Sequence, residues 1–165
     1  MNAAVKLQDC QPADGRRDFD FLYGEWTVLH RRLKVRGAGS SDWDEFFGTS
    51  VCRGQMGGLV NVDENDMPSR GFKGLTFRSF NIERREWAIY WVNSTSGVLQ
   101  PPVFGRFING EGLFYGSDVD AGRAVLVVYV WEAITAASAR WSQAFSYDDG
   151  QTWETNWIMA FSRNA

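Results

Sequence analysis

The sequence contains one histidine, His30, which is the side chain best suited to proton transfer near neutral pH. It lies in a predicted strand and shares one face of that strand with Trp26 and Arg32. If this face points into an enclosed interior, His30 could act as a general acid or base, oriented by Asp63 or Glu154. A lone histidine on a strand is more often structural, and the opposite face is also apolar. The sequence therefore leaves the direction of this face open.

A polar stripe is the second unusual feature. Asn and Asp are uncommon in strands, yet Asn61, Asp63 and Asn65 alternate along one side of a predicted strand. Facing inward, they could orient a ligand or shift the pKa of a neighbouring histidine. Facing outward, they would be a solvated face. Both interpretations remain open from the sequence.

Other candidate ligand contacts are polar or aromatic residues within aromatic strands. In an isomerase, Arg106 would stabilise an enolate-like charge. The runs 141–145 and 153–157 would pair and place their indoles on one interior wall, although aromatic stripes more often belong to a core. The residues predicted to contact a ligand are His30, Arg32, Asn61, Asp63, Trp91, Asn93, Arg106, Tyr129, Trp131, Trp141, Gln143 and Trp157. The candidates for catalysis are His30, Asp63 and Glu154.

Motifs for nucleotide, zinc or serine-hydrolase chemistry are absent from the sequence. One histidine and two cysteines provide too few ligands for a zinc site. Cys10 and Cys52 are not expected to form a disulfide framework. We therefore expect no metal and no cofactor.

Composition limits the class of protein. The chain has 165 residues and a net charge of −3, with acidic and basic residues scattered, so nucleic-acid binding is not expected. No run approaches the roughly 18 apolar residues of a membrane span, and the polar start does not resemble a signal peptide. We expect a cytoplasmic protein with a flexible leader over 1–17 and one domain over 18–165.

Short strands separated by turns dominate the pattern. The predicted strands are 24–36, 43–54, 59–65, 73–82, 87–94, 103–108, 113–119, 123–133, 139–147 and 153–162, preceded by a short helical turn over 18–23. About ten consecutive antiparallel strands favour an all-β, closed up-and-down barrel, because closure removes exposed edges. A two-sheet sandwich is the alternative.

Two of these strands, 87–94 and 123–133, are apolar on both faces. A barrel in water needs only one apolar face, so another surface should cover the outside. A second copy packed symmetrically, giving a homodimer, is the favoured explanation. The alternative is that the leader folds back over this face.

Several motifs together resemble a bacterial protein family of unknown function, similar to calycin (lipocalin-like) and nitrobindin-like barrels. These motifs are Asp18–Phe21 with Gly24–Trp26, Asn61–Asn65, Gly74–Arg78, Trp87–Trp91 and Trp153–Trp157. The resemblance spans about 18–163 and implies a closed antiparallel barrel with a central cavity. It supplies no catalytic residues. Nitrobindin-like barrels bind haem through a histidine near the C-terminus, which this chain lacks, so haem is not implied unless His30 serves as the axial ligand.

Three functions remain open from the sequence. The favoured one is binding of a small, largely apolar or aromatic molecule in the barrel cavity. The alternative is a small cofactor-free isomerase or cyclase of a biosynthetic pathway that uses the lumen and His30. The third is a structural or interaction protein with a filled interior.

Overall fold

A computed structural model describes residues 14–163 and shows a closed barrel of ten antiparallel strands. Each strand pairs with its neighbours in sequence, and the last pairs with the first to close the sheet. The predicted all-β barrel and its short N-terminal helical turn are confirmed. The strands are β1 (Gly24–Leu33), β2 (Trp43–Gln55), β3 (Val60–Met67), β4 (Phe72–Asn81), β5 (Glu86–Asn93), β6 (Val103–Ile108), β7 (Glu111–Asp120), β8 (Arg123–Glu132), β9 (Ser138–Ser146) and β10 (Glu154–Ser162). Single-turn 3-10 helices cover Asp20–Leu22, Met56–Gly58 and Pro68–Arg70.

The end of β1 differs from the prediction, because the strand stops at Leu33 instead of continuing to residue 36. The connection to β2 contains Gly37 and Gly39 with φ of +70° and +64°, a conformation that glycine adopts without strain. The carboxylate of Glu154 accepts hydrogen bonds from both glycine amides, at 2.7 and 3.2 Å. Glu154 therefore fixes this loop at one end of the barrel.

Alternation along β1 settles which face lies inside. Trp26, Val28 and His30 are buried in the lumen, and their paired neighbours on β10 continue without a register shift. The irregularity lies in β10, where a bulge at Asn156 interrupts the pairing with β9. Trp157 faces inward, whereas Trp153 lies outside against Tyr115, with ring centroids 6.4 Å apart. The expectation that both ends of the 153–157 run line the interior was therefore wrong for Trp153.

The N-terminal segment closes one end of the barrel. Phe19 is fully buried there, with its ring edge-on to Trp87 and Phe107 at centroid distances of 5.0 Å. The indole N–H of Trp26 donates to the carbonyl of Leu22 at 2.8 Å and ties the 3-10 turn to β1. We call this end, filled by the ring of Phe19, the plugged end.

Residues 1–13 of the predicted leader lie outside the described part of the chain. Within the rest of that leader, the carbonyl of Gly15 accepts a hydrogen bond from the indole of Trp87 at 3.0 Å. None of the helices in residues 14–163 has the length and apolar character required to cross a bilayer.

Candidate ligand-binding cavity

The lumen above the plugged end contains two adjoining spaces that share part of their lining. The inner chamber, of about 50 Å³, lies in the middle of the barrel. The mouth, of about 290 Å³, lies at the opposite end from the plug. Four residues line both spaces and form what we call the collar: Trp91, Tyr129, Gln143 and Trp157.

Aromatic rings of the collar and of the neighbouring Trp141 meet at steep angles. Trp157 packs edge-on against Trp91 at 6.0 Å and against Trp141 at 5.8 Å, while Tyr129 lies 5.0 Å from Trp141. Edge-to-face rings of this kind present both apolar faces and polarised edges to a neighbour. Trp91 and Tyr129 are half-buried because part of their surface faces the cavity.

The opposite side of the inner chamber is polar and belongs to β3 and β4. Arg78 forms a buried ion pair with Asp63 at 2.6 Å and donates to Asn61 at 2.9 Å. The amide of Asn65 donates to the other oxygen of Asp63 at 2.7 Å. We call these four residues the polar wall. Its two charges are paired, as buried charges must be, so the wall presents hydrogen-bonding groups without net charge.

Several buried polar atoms next to the inner chamber have no hydrogen-bond partner within residues 14–163. Among the described residues, Asn65 Oδ1, Arg78 Nε and Trp131 Nε1 are buried and have no partner. A buried polar atom left without a partner costs about 1–3 kcal/mol, so a guest that satisfied one would gain affinity. Burial raises the pKa of the Tyr129 hydroxyl, which keeps the phenol neutral beside the chamber.

The mouth contains charged groups from β1, from β7 and from the loop after β1. Arg36 pairs with Asp120 at 2.6 Å, and Tyr147 donates to the second oxygen of the same carboxylate at 2.7 Å. Arg32 places its guanidinium over Trp157, 4.2 Å from the ring centroid. Burial, followed by the nearby charge of Arg36, lowers the pKa of Arg32.

His30 is buried behind the cavity wall. Its Nδ1 accepts a hydrogen bond from the indole of Trp157 at 3.1 Å, and its ring stacks on Phe46 at 4.8 Å. Gly48 faces the imidazole, and a Cβ there would lie 3.0 Å from Nε2. Burial, and to a lesser extent the charge of Arg32, lowers the pKa of His30 to about 4, so the ring is neutral at pH 7.

The predicted contact residues fall into three groups. Those that line the inner chamber are Asp63, Trp91, Tyr129, Trp131, Trp141, Gln143 and Trp157. Those that line only the mouth are Arg32 and Asn93. The others do not line either space: His30 is buried against Trp157 and Phe46, Asn61 is the fully buried member of the polar wall, and Arg106 lies outside near Glu86. Of the residues considered for catalysis, Glu154 holds the loop after β1 and Asp63 is paired with Arg78.

Two polar residues of the inner chamber, Thr76 and Arg78, were not singled out from the sequence. They share the inward face of β4 with Gly74 and Phe80, whereas Leu75 and Phe77 on the alternate face are partly exposed. Both faces of the strand carry large apolar residues, so alternation alone does not show which face lies inside. The register of β3 with β4 places Arg78 directly opposite Asn61, and this pairing was the signal that could have identified it.

Comparison with known proteins supports the architecture. The barrel is similar to the structure of an S-type phycobiliprotein lyase from Guillardia theta, with a TM-score of 0.57 and 10% sequence identity over 92% of this chain and 96% of that chain. No known sequence family and no curated protein match the chain. At this identity, the likeness shows a shared fold.

Proposed function

We propose that the protein binds a small, largely apolar or aromatic molecule in the lumen, held by the collar with one end in the inner chamber. The observation that carries this proposal is the collar itself, where aromatic residues border open space instead of packing against one another completely. The mouth lies near the lower limit of the roughly 300–1,000 Å³ of typical ligand sites, which favours a small guest.

The two sides of the inner chamber suit an amphipathic guest. Apolar contact would come from Trp131 and Trp141, which are almost fully buried on β8 and β9. Hydrogen bonds would come from the polar wall across the chamber, where Asn65 retains an unused oxygen. An apolar cavity with a few convergent polar groups is the usual composition of a small-molecule site.

The alternative, an isomerase or cyclase with His30 as acid or base, has less support. His30 is fully buried and does not line either space; Trp157, which lines both, covers it and donates to its Nδ1. A general acid or base must reach the reacting proton directly or through one water. The similar barrel belongs to a lyase, but at 10% identity this supports a common fold and no shared reaction.

Titration with N-phenylnaphthylamine, a neutral fluorescent probe, tests binding in the lumen. Thr76→Phe should abolish binding, because Thr76 lines the inner chamber and a phenyl ring would fill it. Thr49→Phe makes the same change on the exposed outer face of β2 and should leave the dissociation constant unchanged. Thr76→Leu is a milder filling variant in case the larger ring disturbs folding, which circular dichroism would detect.

The proposal would be wrong if the wild-type protein did not bind the probe. It would also be wrong if folded Thr76→Phe and Thr76→Leu proteins both bound it as tightly as Thr49→Phe. In that case, the probe would be bound elsewhere on the surface.

We also propose that the outer face of β6, β7 and β8 pairs with a second copy of the chain. Phe104, Tyr115 and Val128 lie side by side across these strands, and the first two are 45% and 53% exposed. Arg106, at the edge of this apolar face, is directed toward Glu86, 3.9 Å away. A neutral apolar face can pack against itself about a two-fold axis without opposing like charges.

Sedimentation velocity at micromolar concentration tests the dimer. The wild-type chain should sediment as a dimer and Tyr115→Glu as a monomer, because a buried unpaired carboxylate is costly. Thr49→Glu, on the outer face of β2, is the matched control and should remain dimeric. A monomeric wild-type protein would contradict the proposal and is the result expected if residues 1–13 cover this face instead.

A further inference from the structure

The mouth contains a cation without an anionic partner. Among residues 14–163, Arg32 forms no ion pair and no hydrogen bond through its guanidinium, whereas Arg36 beside it is neutralised by Asp120. In the inner chamber, Arg78 is likewise neutralised, by Asp63. Arg32 is therefore the cation in the described lumen that is free to bind an anion.

The structure also fixes the position of this guanidinium. Arg32 lies over Trp157 at 4.2 Å and near Phe72 at 5.4 Å, which is a cation–π arrangement with both rings. Trp157 is in turn held by its hydrogen bond to Nδ1 of His30. A guanidinium stacked on a ring keeps its N–H edge free, so the group is ready for a planar oxyanion.

Acidic residues near Arg32 are already bound by other groups. Asp44 lies opposite Arg32 in the register of β1 with β2, and its carboxylate accepts a hydrogen bond from Nε of Arg70 at 2.7 Å. Asp118 and Asp120 belong to β7, which lies across the barrel from β1 in the strand order. Asp120 already binds Arg36 and Tyr147. Asp118 accepts a hydrogen bond from the amide of Val119. The carboxylates around Arg32 are thus already engaged by other groups.

We propose that the natural guest is an amphipathic aromatic anion, whose aromatic body contacts the collar and whose carboxylate or similar oxyanion binds Arg32. This deepens the proposed binding function and depends on it. The aromatic rings of the collar select the planar body, and Arg32 selects the charge at the end nearest solvent. His30 is a positioning residue, because it acts on the guest only through Trp157.

A matched pair of probes tests this inference. Anilinonaphthalene sulfonate carries an anionic group that neutral N-phenylnaphthylamine lacks, while the aromatic body is the same. Arg32→Gln should weaken binding of the sulfonate by at least about tenfold, since a charge-assisted hydrogen bond is lost, and should change binding of the neutral probe by less than about threefold.

The adjacent Arg31 provides the control. Its side chain points outward to Glu45 at 2.7 Å, so Arg31→Gln makes the same change in net charge on the outside and should alter neither constant. Arg32→Lys retains the charge and should retain part of the preference for the anion. Urea midpoints would verify that all variants are folded.

The outcomes separate this inference from the binding function itself. If Arg32→Gln weakened both probes equally, Arg32 would serve only in packing; if it weakened neither, it would not contact the anion. Either result would overturn the inference while leaving the lumen as a binding site. If the wild-type protein bound neither probe, the proposed function would fail as well.

Discussion

The two ends of the barrel use aromatic residues in different ways. At the plugged end, Phe19 contacts Trp87, Phe107 and Phe114, and the rings fill the interior. At the other end, the collar borders a mouth of about 290 Å³. The comparison shows that inward-facing aromatic residues do not by themselves make a cavity. The segment that crosses one end decides which rings become core.

The polar residues differ between the ends in the same way. At the plugged end, Arg163 lies over Trp26 at 3.7 Å and donates to the carbonyl of Phe21, so its charge stabilises the closure. At the mouth, Arg32 lies over an indole in a similar stack but has no acceptor among the described residues. The guanidinium of Arg163 therefore stabilises the plugged end, whereas the similarly stacked guanidinium of Arg32 is free to bind a ligand at the mouth.

Truncating the plug is expected to have the largest effect on stability. Phe19→Ala should lower the free energy of unfolding by about 4 kcal/mol, because it leaves a cavity among fully packed rings. Phe47→Ala, on the exposed outer face of β2, should change it by less than about 0.5 kcal/mol. Urea denaturation measures both values. Equal losses would contradict the assignment of Phe19 as the plug.

The next effect concerns pH and His30. The pKa of His30 is about 4 in the folded chain and 6.5 when unperturbed, so between these values the unfolded chain binds more protons. Stability should therefore fall as pH decreases through this range, by about 3 kcal/mol in total from this group. His30→Gln should lack that component while retaining the common contribution of the carboxylates. Urea titrations from about pH 7.5 to about pH 4 would check this; parallel profiles for the two proteins would contradict it.

The smallest effect is expected at the loop beside the mouth. Glu154→Gln should cost about 1 kcal/mol, because the charge-assisted bonds to the amides of Gly37 and Gly39 are weakened at a partly exposed site. Hydrogen exchange at the Gly37 amide should become faster. Glu45→Gln, which removes an exposed ion pair with Arg31, should cost less than about 0.5 kcal/mol and serves as the control. Unchanged exchange at Gly37 would show that Glu154 does not order the loop.

Strand positions could be predicted from the sequence because turn residues mark them. The bounds of β6 were predicted correctly, since two prolines precede it and Asn109–Gly110 follows it with φ of +53° and +81°. The bulge in β10 had no comparable local signal, and it reversed the expected side of Trp153.

The side each residue faces was harder to predict. The direction of Asp63 depends on Arg78, a partner on the next strand that single-strand alternation does not reveal. Arg106 was a candidate for the cavity, yet the inward residues of β6 are Val103, Gly105 and Phe107, and Arg106 lies on the opposite face. The role of Phe19 was not predicted because this residue lies in the 3-10 turn before β1. The alternation of inward and outward residues along the strands therefore gives no information about where its ring lies.

A crystal structure of the protein with N-phenylnaphthylamine would test the central claim most directly. We expect the aromatic body of the probe in the lumen, in contact with Trp91, Tyr129 and Trp157, with one end directed into the inner chamber. The account would be contradicted if the probe lay on the outer apolar face while side chains of the protein filled the space between the collar and the plug.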